Sequence, residues 1–244
     1  GTSDSITLTI NNSSNAGIIN VDGIETINLV STNNPSGDAN ELTLDEAATG
    51  TSTETLNISG AGDLEITDTD SLTITNSASG DVEILDASAA TSVTHTGTGA
   101  LDITLGVADE VTVTAADATG ALTVTGGAAG AISLTGGSGD DSITIANSGL
   151  DKYDTVAGGS GTDTLTATIK NNAASDDLFY VDTLTGTDLP TISGIEIAKA
   201  TLLDAGAAFT VDTTTSTFAD TLSLGGTIGS NNATIDKIKV GQTV

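Results

Sequence analysis

The sequence predicts an all-β chain wound as a parallel β-solenoid, a flattened β-roll with two short strands in each coil of about 18–22 residues and an irregular C-terminal cap. Three observations carry this expectation: strict apolar/polar alternation, a regular interval between apolar residues, and an aliphatic composition with almost no rings. Alternation recurs in Ser5-Ile6-Thr7-Leu8-Thr9-Ile10, Thr55-Leu56-Asn57-Ile58, Ser71-Leu72-Thr73-Ile74-Thr75 and Ala121-Leu122-Thr123-Val124-Thr125. A period of two marks half-buried strands, and threonine suits the solvated face because its β-branch favours extended backbone. Gly, Asn, Ser and Asp fill the intervals as turn residues.

The leading apolar residues Leu56, Leu64, Leu72, Val82, Val93, Leu101, Val111, Leu122, Ile132 and Ile143 follow one another at 8 to 11 residues, so every second step closes one coil. Turn signals at that interval also suit an antiparallel sandwich. Aromatics are only 2 % of the chain and none occurs before Tyr153, which favours thin, repeated layers over a sandwich core. High net charge and few rings also accompany disorder, but 37 % hydrophobic residues at regular intervals argue for a packed core. The solenoid is expected over residues 1–169, and residues 170–244 read as a C-terminal β-rich cap or small subdomain, with Phe179, Tyr180, Phe209 and Phe218. Residues 31–50 read as a polar insertion, and residues 145–157 also break the rhythm.

Five Lys plus Arg against 33 Asp plus Glu leave a net charge of −28, and every cation is a lysine (Lys152, Lys170, Lys199, Lys237, Lys239). Such a chain repels nucleic acid and anionic lipid, so neither nucleic-acid binding nor membrane insertion is expected. With no cysteine, disulfides, zinc-thiolate sites and thiol nucleophiles are excluded, which suits folding outside the cell without oxidative machinery. No apolar run approaches membrane-spanning length, and no basic segment precedes an apolar one as in a cleavable signal. The opening Gly1-Thr2-Ser3 reads as that of a fragment or processed product.

Two segments carry chemistry. Residues 136–144 (Gly-Gly-Ser-Gly-Asp-Asp-Ser-Ile-Thr) and 158–166 (Gly-Gly-Ser-Gly-Thr-Asp-Thr-Leu-Thr) both match the nonapeptide G-G-x-G-x-D-x-U-x at every fixed position. The glycines permit a tight turn that gathers carbonyls, the sixth-position Asp adds a hard carboxylate, and Ile143 and Leu165 anchor the next strand. Calcium takes six to eight oxygens in flexible geometry, which two stacked turns can supply. The matches start 22 residues apart, about one coil, so they are expected on one edge with an ion between them. Residues 149–157 form a degenerate copy in which Asp154 holds the sixth position and Lys152 replaces a glycine; this half-coil is expected on the opposite edge. Asp140 and Asp154 join Asp141 and Asp163 as candidate ligands. Further acids recur near coil ends (Asp63, Asp68, Asp70, Asp81, Asp86, Asp102, Asp109, Asp117), most of them expected to be solvated, a minority to bind metal.

The paired nonapeptides resemble RTX (repeats-in-toxin) β-rolls, and the rest of the chain resembles Gram-negative surface-layer proteins that carry such repeats. Gly23-Ile24-Glu25-Thr26-Ile27-Asn28-Leu29, Val82-Glu83-Ile84-Leu85-Asp86-Ala87-Ser88 and Gly194-Ile195-Glu196-Ile197-Ala198 are similar to phrases of those lattices. By motif the likeness covers only residues 136–166. It implies calcium-dependent folding, export by a type I secretion system, a cell-surface location and self-assembly into a two-dimensional lattice, with cell-surface polysaccharide as a further partner. It also implies calcium ligands at positions one, three and six: Gly136, Ser138, Asp141, Gly158, Ser160 and Asp163. The competing expectation is a calcium-bound repeat module of a secreted adhesin, or a non-catalytic module of an extracellular polysaccharide enzyme.

No catalytic role is expected. His95, the only histidine, reads as an outward-facing bystander, and no G-x-S-x-G elbow appears. Solenoid polysaccharide lyases pair calcium with a basic residue that abstracts a proton and binds an acidic sugar, whereas a chain with no arginine and few lysines is expected to repel an anionic polysaccharide.

Overall fold

A computed structural model describes residues 4–11, 17–21, 23–33, 37–45, 55–106, 110–126, 131–145, 150, 153–170, 191–203, 209–212, 221–226 and 233–236. In chain order the strands are β1 (Ser5–Ile10), β2 (Gly17–Asn20), β3 (Thr26–Ser31), β4 (Asn40–Asp45), β5 (Thr55–Gly60), β6 (Leu64–Ile66) and β7 (Thr73–Asn76). There follow β8 (Val82–Ala87), β9 (Ser92–His95), β10 (Leu101–Leu105), β11 (Val111–Thr114), β12 (Leu122–Gly126), β13 (Ile132–Thr135) and β14 (Ser142–Ile145). The last are β15 (Thr155–Ala157), β16 (Thr164–Lys170), β17 (Thr191–Ser193), β18 (Ile197–Leu203), β19 (Phe209–Asp212), β20 (Thr221–Gly226) and β21 (Ala233–Asp236).

Successive strands alternate between two parallel sheets. The odd strands β1 to β17 form a nine-stranded sheet, the even strands β2 to β20 a ten-stranded one, and β19 pairs with β21. This is a parallel β-solenoid with two strands per coil. One column runs Leu56, Ile74, Val93, Val113, Leu134, Val156, so successive coils lengthen from 18 to 22 residues in steps of one. In the facing sheet, Leu42, Ile66, Ile84, Ile103, Val124, Ile143 and Leu165 align in the same way. The inward residues of both sheets form one continuous aliphatic core. Period-two alternation is what permits this: from β3 to β17 the strands bury one face and leave the other, largely threonine and acid, to solvent.

The structure corrects three details of the sequence reading. Residues 31–50 are not simply an insertion, since Asn40–Asp45 is β4, with Leu42 and Leu44 buried. The polar start of β4 is satisfied by Asn40, whose Nδ2 donates to Ser31 Oγ (2.9 Å) and the Thr32 carbonyl (2.8 Å). Leu72, the leading apolar residue of its rung in the sequence, precedes β7 and is only half-buried; the register column runs through Ile74. Pairing also runs on past residue 170, because β17, β18 and β20 extend the same two sheets. Much of the expected cap, including Phe179, Tyr180 and Phe218, lies outside the described residues.

One corner of the coil is closed by a column of glycines: Gly62, Gly80, Gly99, Gly120, Gly139 and Gly161. At Gly80, Gly99 and Gly120 a Cβ would collide with the carbonyl of the glycine one coil earlier. The corner is therefore a backbone-on-backbone contact that no side chain can enter. Gly99→Ala should lower stability by about 1–3 kcal/mol, as overpacking does. Gly17→Ala, where a Cβ meets nothing within 4 Å, should stay within about 0.5 kcal/mol. Urea denaturation of the two variants checks the contrast.

Candidate cation-binding edge

Both nonapeptide turns lie on the same edge, where the chain passes from the odd-strand sheet to the even-strand sheet. The first links β13 to β14 and the second links β15 to β16. They occupy adjacent coils and are hydrogen-bonded: Ser160 N–H donates to the Gly137 carbonyl (2.9 Å) and Thr164 N–H to the Asp141 carbonyl (2.8 Å).

The sixth-position acids are buried, Asp141 to 1 % exposure and Asp163 to 0 %. Each caps a backbone N–H of the preceding coil. Leu122 N–H donates to Asp141 Oδ1 at 2.8 Å, and Asp141 N–H to Asp163 Oδ1 at 2.9 Å. A third rung continues the series, because Asp163 N–H donates to Glu196 Oε2 at 2.8 Å. Glu196 lies in the short turn between β17 and β18 and was not among the ligands expected from sequence. The second oxygens differ: Asp141 Oδ2 accepts from Gly137 N–H at 2.9 Å, whereas Asp163 Oδ2 is buried with no hydrogen-bond donor.

The first glycine of each motif forms a cradle. A Cβ on Gly136 would strike both the Gly158 carbonyl oxygen and Asp141 Oδ2. A Cβ on Gly158 would strike the Gly194 carbonyl oxygen and Asp163 Oδ2. Each missing side chain thus lets a carbonyl and a carboxylate oxygen from neighbouring coils converge. The donors are all hard oxygens, as calcium requires.

The remaining expected ligands are dispersed. Ser138 and Ser160 are exposed on the turn surface, and Ser138 Oγ donates to the Ala118 carbonyl at 3.2 Å. Asp140 is exposed and its Oδ1 accepts from Thr162 N–H at 2.8 Å. Asp154 lies on the opposite edge, buried, with Oδ1 accepting from Ile132 N–H at 2.7 Å; the fold does not bring it to Asp141 and Asp163.

Of the other acids, Asp63 and Asp81 share the nonapeptide edge and accept from Asp81 N–H (2.9 Å) and Ala100 N–H (2.8 Å). Asp86 caps the Ser88 N–H at 3.0 Å on the opposite edge. Asp68, Asp70 and Asp117 are exposed, and Asp109 lies outside the described residues. Asp102 stands on the outer face of β10, where it continues a register column with Glu41, Glu65 and Glu83.

Burial holds both nonapeptide carboxyls above their ordinary range. For Asp141 it is opposed by the Leu122 and Gly137 N–H bonds and by His95; for Asp163 it is opposed by the Asp141 N–H bond and reinforced by Asp141, Glu196 and Asp140. A raised carboxyl in the fold means that ionisation opposes folding. Without a counter-cation its stabilising contribution is full below the unfolded value of 3.8 and is lost as pH rises through the folded value.

His95 is not the outward bystander expected. Residues two apart share a strand face, so Val93 and His95 both point inward, and His95 is 0 % exposed. Asn76 Oδ1 accepts from Ala78 N–H at 3.0 Å, which turns the amide nitrogen toward His95 Nδ1 at 3.3 Å. The ring nitrogen Nε2 is buried without a partner.

Among the described residues, no group of three or more His, Cys, Asp or Glu side chains is arranged to hold a metal ion. A cation on this edge would depend on backbone carbonyls as well as acids. Comparison with protein-family models, curated proteins and solved structures finds no match.

Burial lowers the His95 pKa, against smaller opposing effects from Asn76, Gly99 and Asp141. The unfolded chain therefore takes a proton that the fold refuses, and stability falls as pH drops below about 6.5. His95→Gln should abolish this component. Its stability relative to the parent should rise between pH 7.5 and 5.5 by up to about 1.4 kcal/mol per pH unit in urea titrations.

Proposed function

We propose that this chain is a structural segment of a secreted, calcium-stabilised bacterial surface layer, non-enzymatic, with folding and lattice assembly driven by Ca²⁺. The observation that carries this reading is the pair of nonapeptide turns on adjacent coils of one edge. There two buried carboxylates stand beside glycine cradles in which a carbonyl and a carboxylate oxygen converge, in a chain of net charge −28. Gly136, Gly158, Asp141 and Asp163 would hold the ion, with Ser138, Ser160 and Asp140 at its rim; Asp154, on the other edge, would not join them.

A bound divalent cation supplies positive charge that offsets neighbouring carboxylates and joins two coils. The chain's own residues do the rest. The glycines keep the cradles open, the N–H caps hold one oxygen of each acid in place, and Ile143 and Leu165 tie the turns to the core. Like-charged carboxylates buried on neighbouring coils raise each other's pKa, and a cation between them removes that repulsion. Binding only to the folded chain stabilises it by about 2.7 kcal/mol at one hundred times the dissociation constant. The threonine-rich flanks then form rigid outer faces for contacts between copies.

Thermal melts followed by circular dichroism should show a higher Tm in millimolar calcium than in chelator, with most of the gain lost in Asp163→Asn. Equal melting temperatures would overturn the calcium part. Electron microscopy with calcium should show ordered sheets; dispersed rods would instead favour the adhesin-module reading.

A further inference from the structure

The nonapeptide pattern ends at residue 166, but the edge it builds does not. The next turn on that edge is Gly194-Ile195-Glu196, between β17 and β18. It is too short to be a nonapeptide, yet it repeats the same two elements. Gly194 has a left-handed φ of +58° and its carbonyl oxygen packs against Gly158. Glu196, one methylene longer than Asp, reaches back to the Asp163 N–H at 2.8 Å, as Asp163 reaches the Asp141 N–H at 2.9 Å. The added carbon offsets the shorter turn.

The distinguishing feature is Asp163 Oδ2. Its counterpart, Asp141 Oδ2, is satisfied by the Gly137 N–H. Asp163 is fully buried, and its Oδ2 has no donor while facing the cradle that also receives the Gly194 carbonyl. A buried carboxylate oxygen without a donor, beside a carbonyl oxygen and a second acid, is a costly arrangement that a cation resolves. The register column of Glu41, Glu65, Glu83 and Asp102 lacks this feature, because its carboxylates stand on the outer sheet face and none is fully buried.

We propose that a second divalent-cation position lies one coil beyond the nonapeptide pair, between the turns of Asp163 and Glu196. Asp163 Oδ2, the Gly194 carbonyl and Glu196 Oε1 are its ligands. It rests on the calcium reading above and extends it from two turns to three, with the third turn carrying no recognisable motif.

Native mass spectrometry of the full chain, titrated with calcium alone, counts the ions. Glu196→Gln keeps an oxygen for the Asp163 N–H but removes the charge. It should bind one ion fewer than the parent at the same free calcium, while Asp141→Asn should lose a different ion and the double variant both. An unchanged count in Glu196→Gln would overturn this proposal alone. A parent chain that binds no calcium would overturn it together with the calcium reading. If circular dichroism shows Glu196→Gln unfolded, Glu196→Asp is titrated instead. One class of ion should then weaken by about tenfold or more, and unchanged affinity of every ion would overturn the proposal.

Discussion

In-register stacking of coils governs everything else in this molecule. Parallel pairing places each residue over its equivalent in the next coil, at about 4.8 Å. Any choice made once is then repeated as a column. An aliphatic column becomes a core without aromatic rings, and a glycine column becomes a corner where carbonyls replace side chains. An acidic column becomes a row of like charges. The first two are stable as they stand; the third is not, and it is where the chain's chemistry gathers.

The nonapeptide edge shows how the backbone handles that difficulty. Asp141, Asp163 and Glu196 each give one oxygen to an N–H of the coil before, a charge-assisted bond that fixes the side chain. The opposing costs are desolvation and mutual repulsion, and burial is the larger for Asp141 and Asp163. Hydrogen bonds alone leave Asp163 with one oxygen unserved. The fold therefore positions its acids by backbone geometry and leaves their charge to be met by something else.

Much of the architecture was legible because both of its signals are periodic. Alternation gave the strands, and the 8–11-residue interval gave two strands per coil. The failures fall where parity or length, not composition, decides. His95 shares the face of Val93 whatever its polarity, and polar stretches such as Asn40-Glu41 can open a strand when a side-chain amide finds partners in the neighbouring turn. Leu72 leads its apolar segment in sequence, yet it sits before the strand, and the register column runs through Ile74 two residues on. At the candidate site, the two motifs and their shared edge followed from spacing alone. Glu196 did not, since its role comes from a 33-residue coil separation between Asp163 and Glu196 and from a short turn that no pattern marks.

The outer row formed by Glu41, Glu65, Glu83 and Asp102 has a different consequence. Two unit charges in water interact with thermal energy at about 7 Å, and successive members of this row are one strand apart, about 4.8 Å. It is thus a short linear polyelectrolyte, dense enough to gather an ionic atmosphere of mobile monovalent ions along one flank of the solenoid. Along that flank the local cation concentration is raised above that of the bulk solution, and the excess shrinks as salt screens the row.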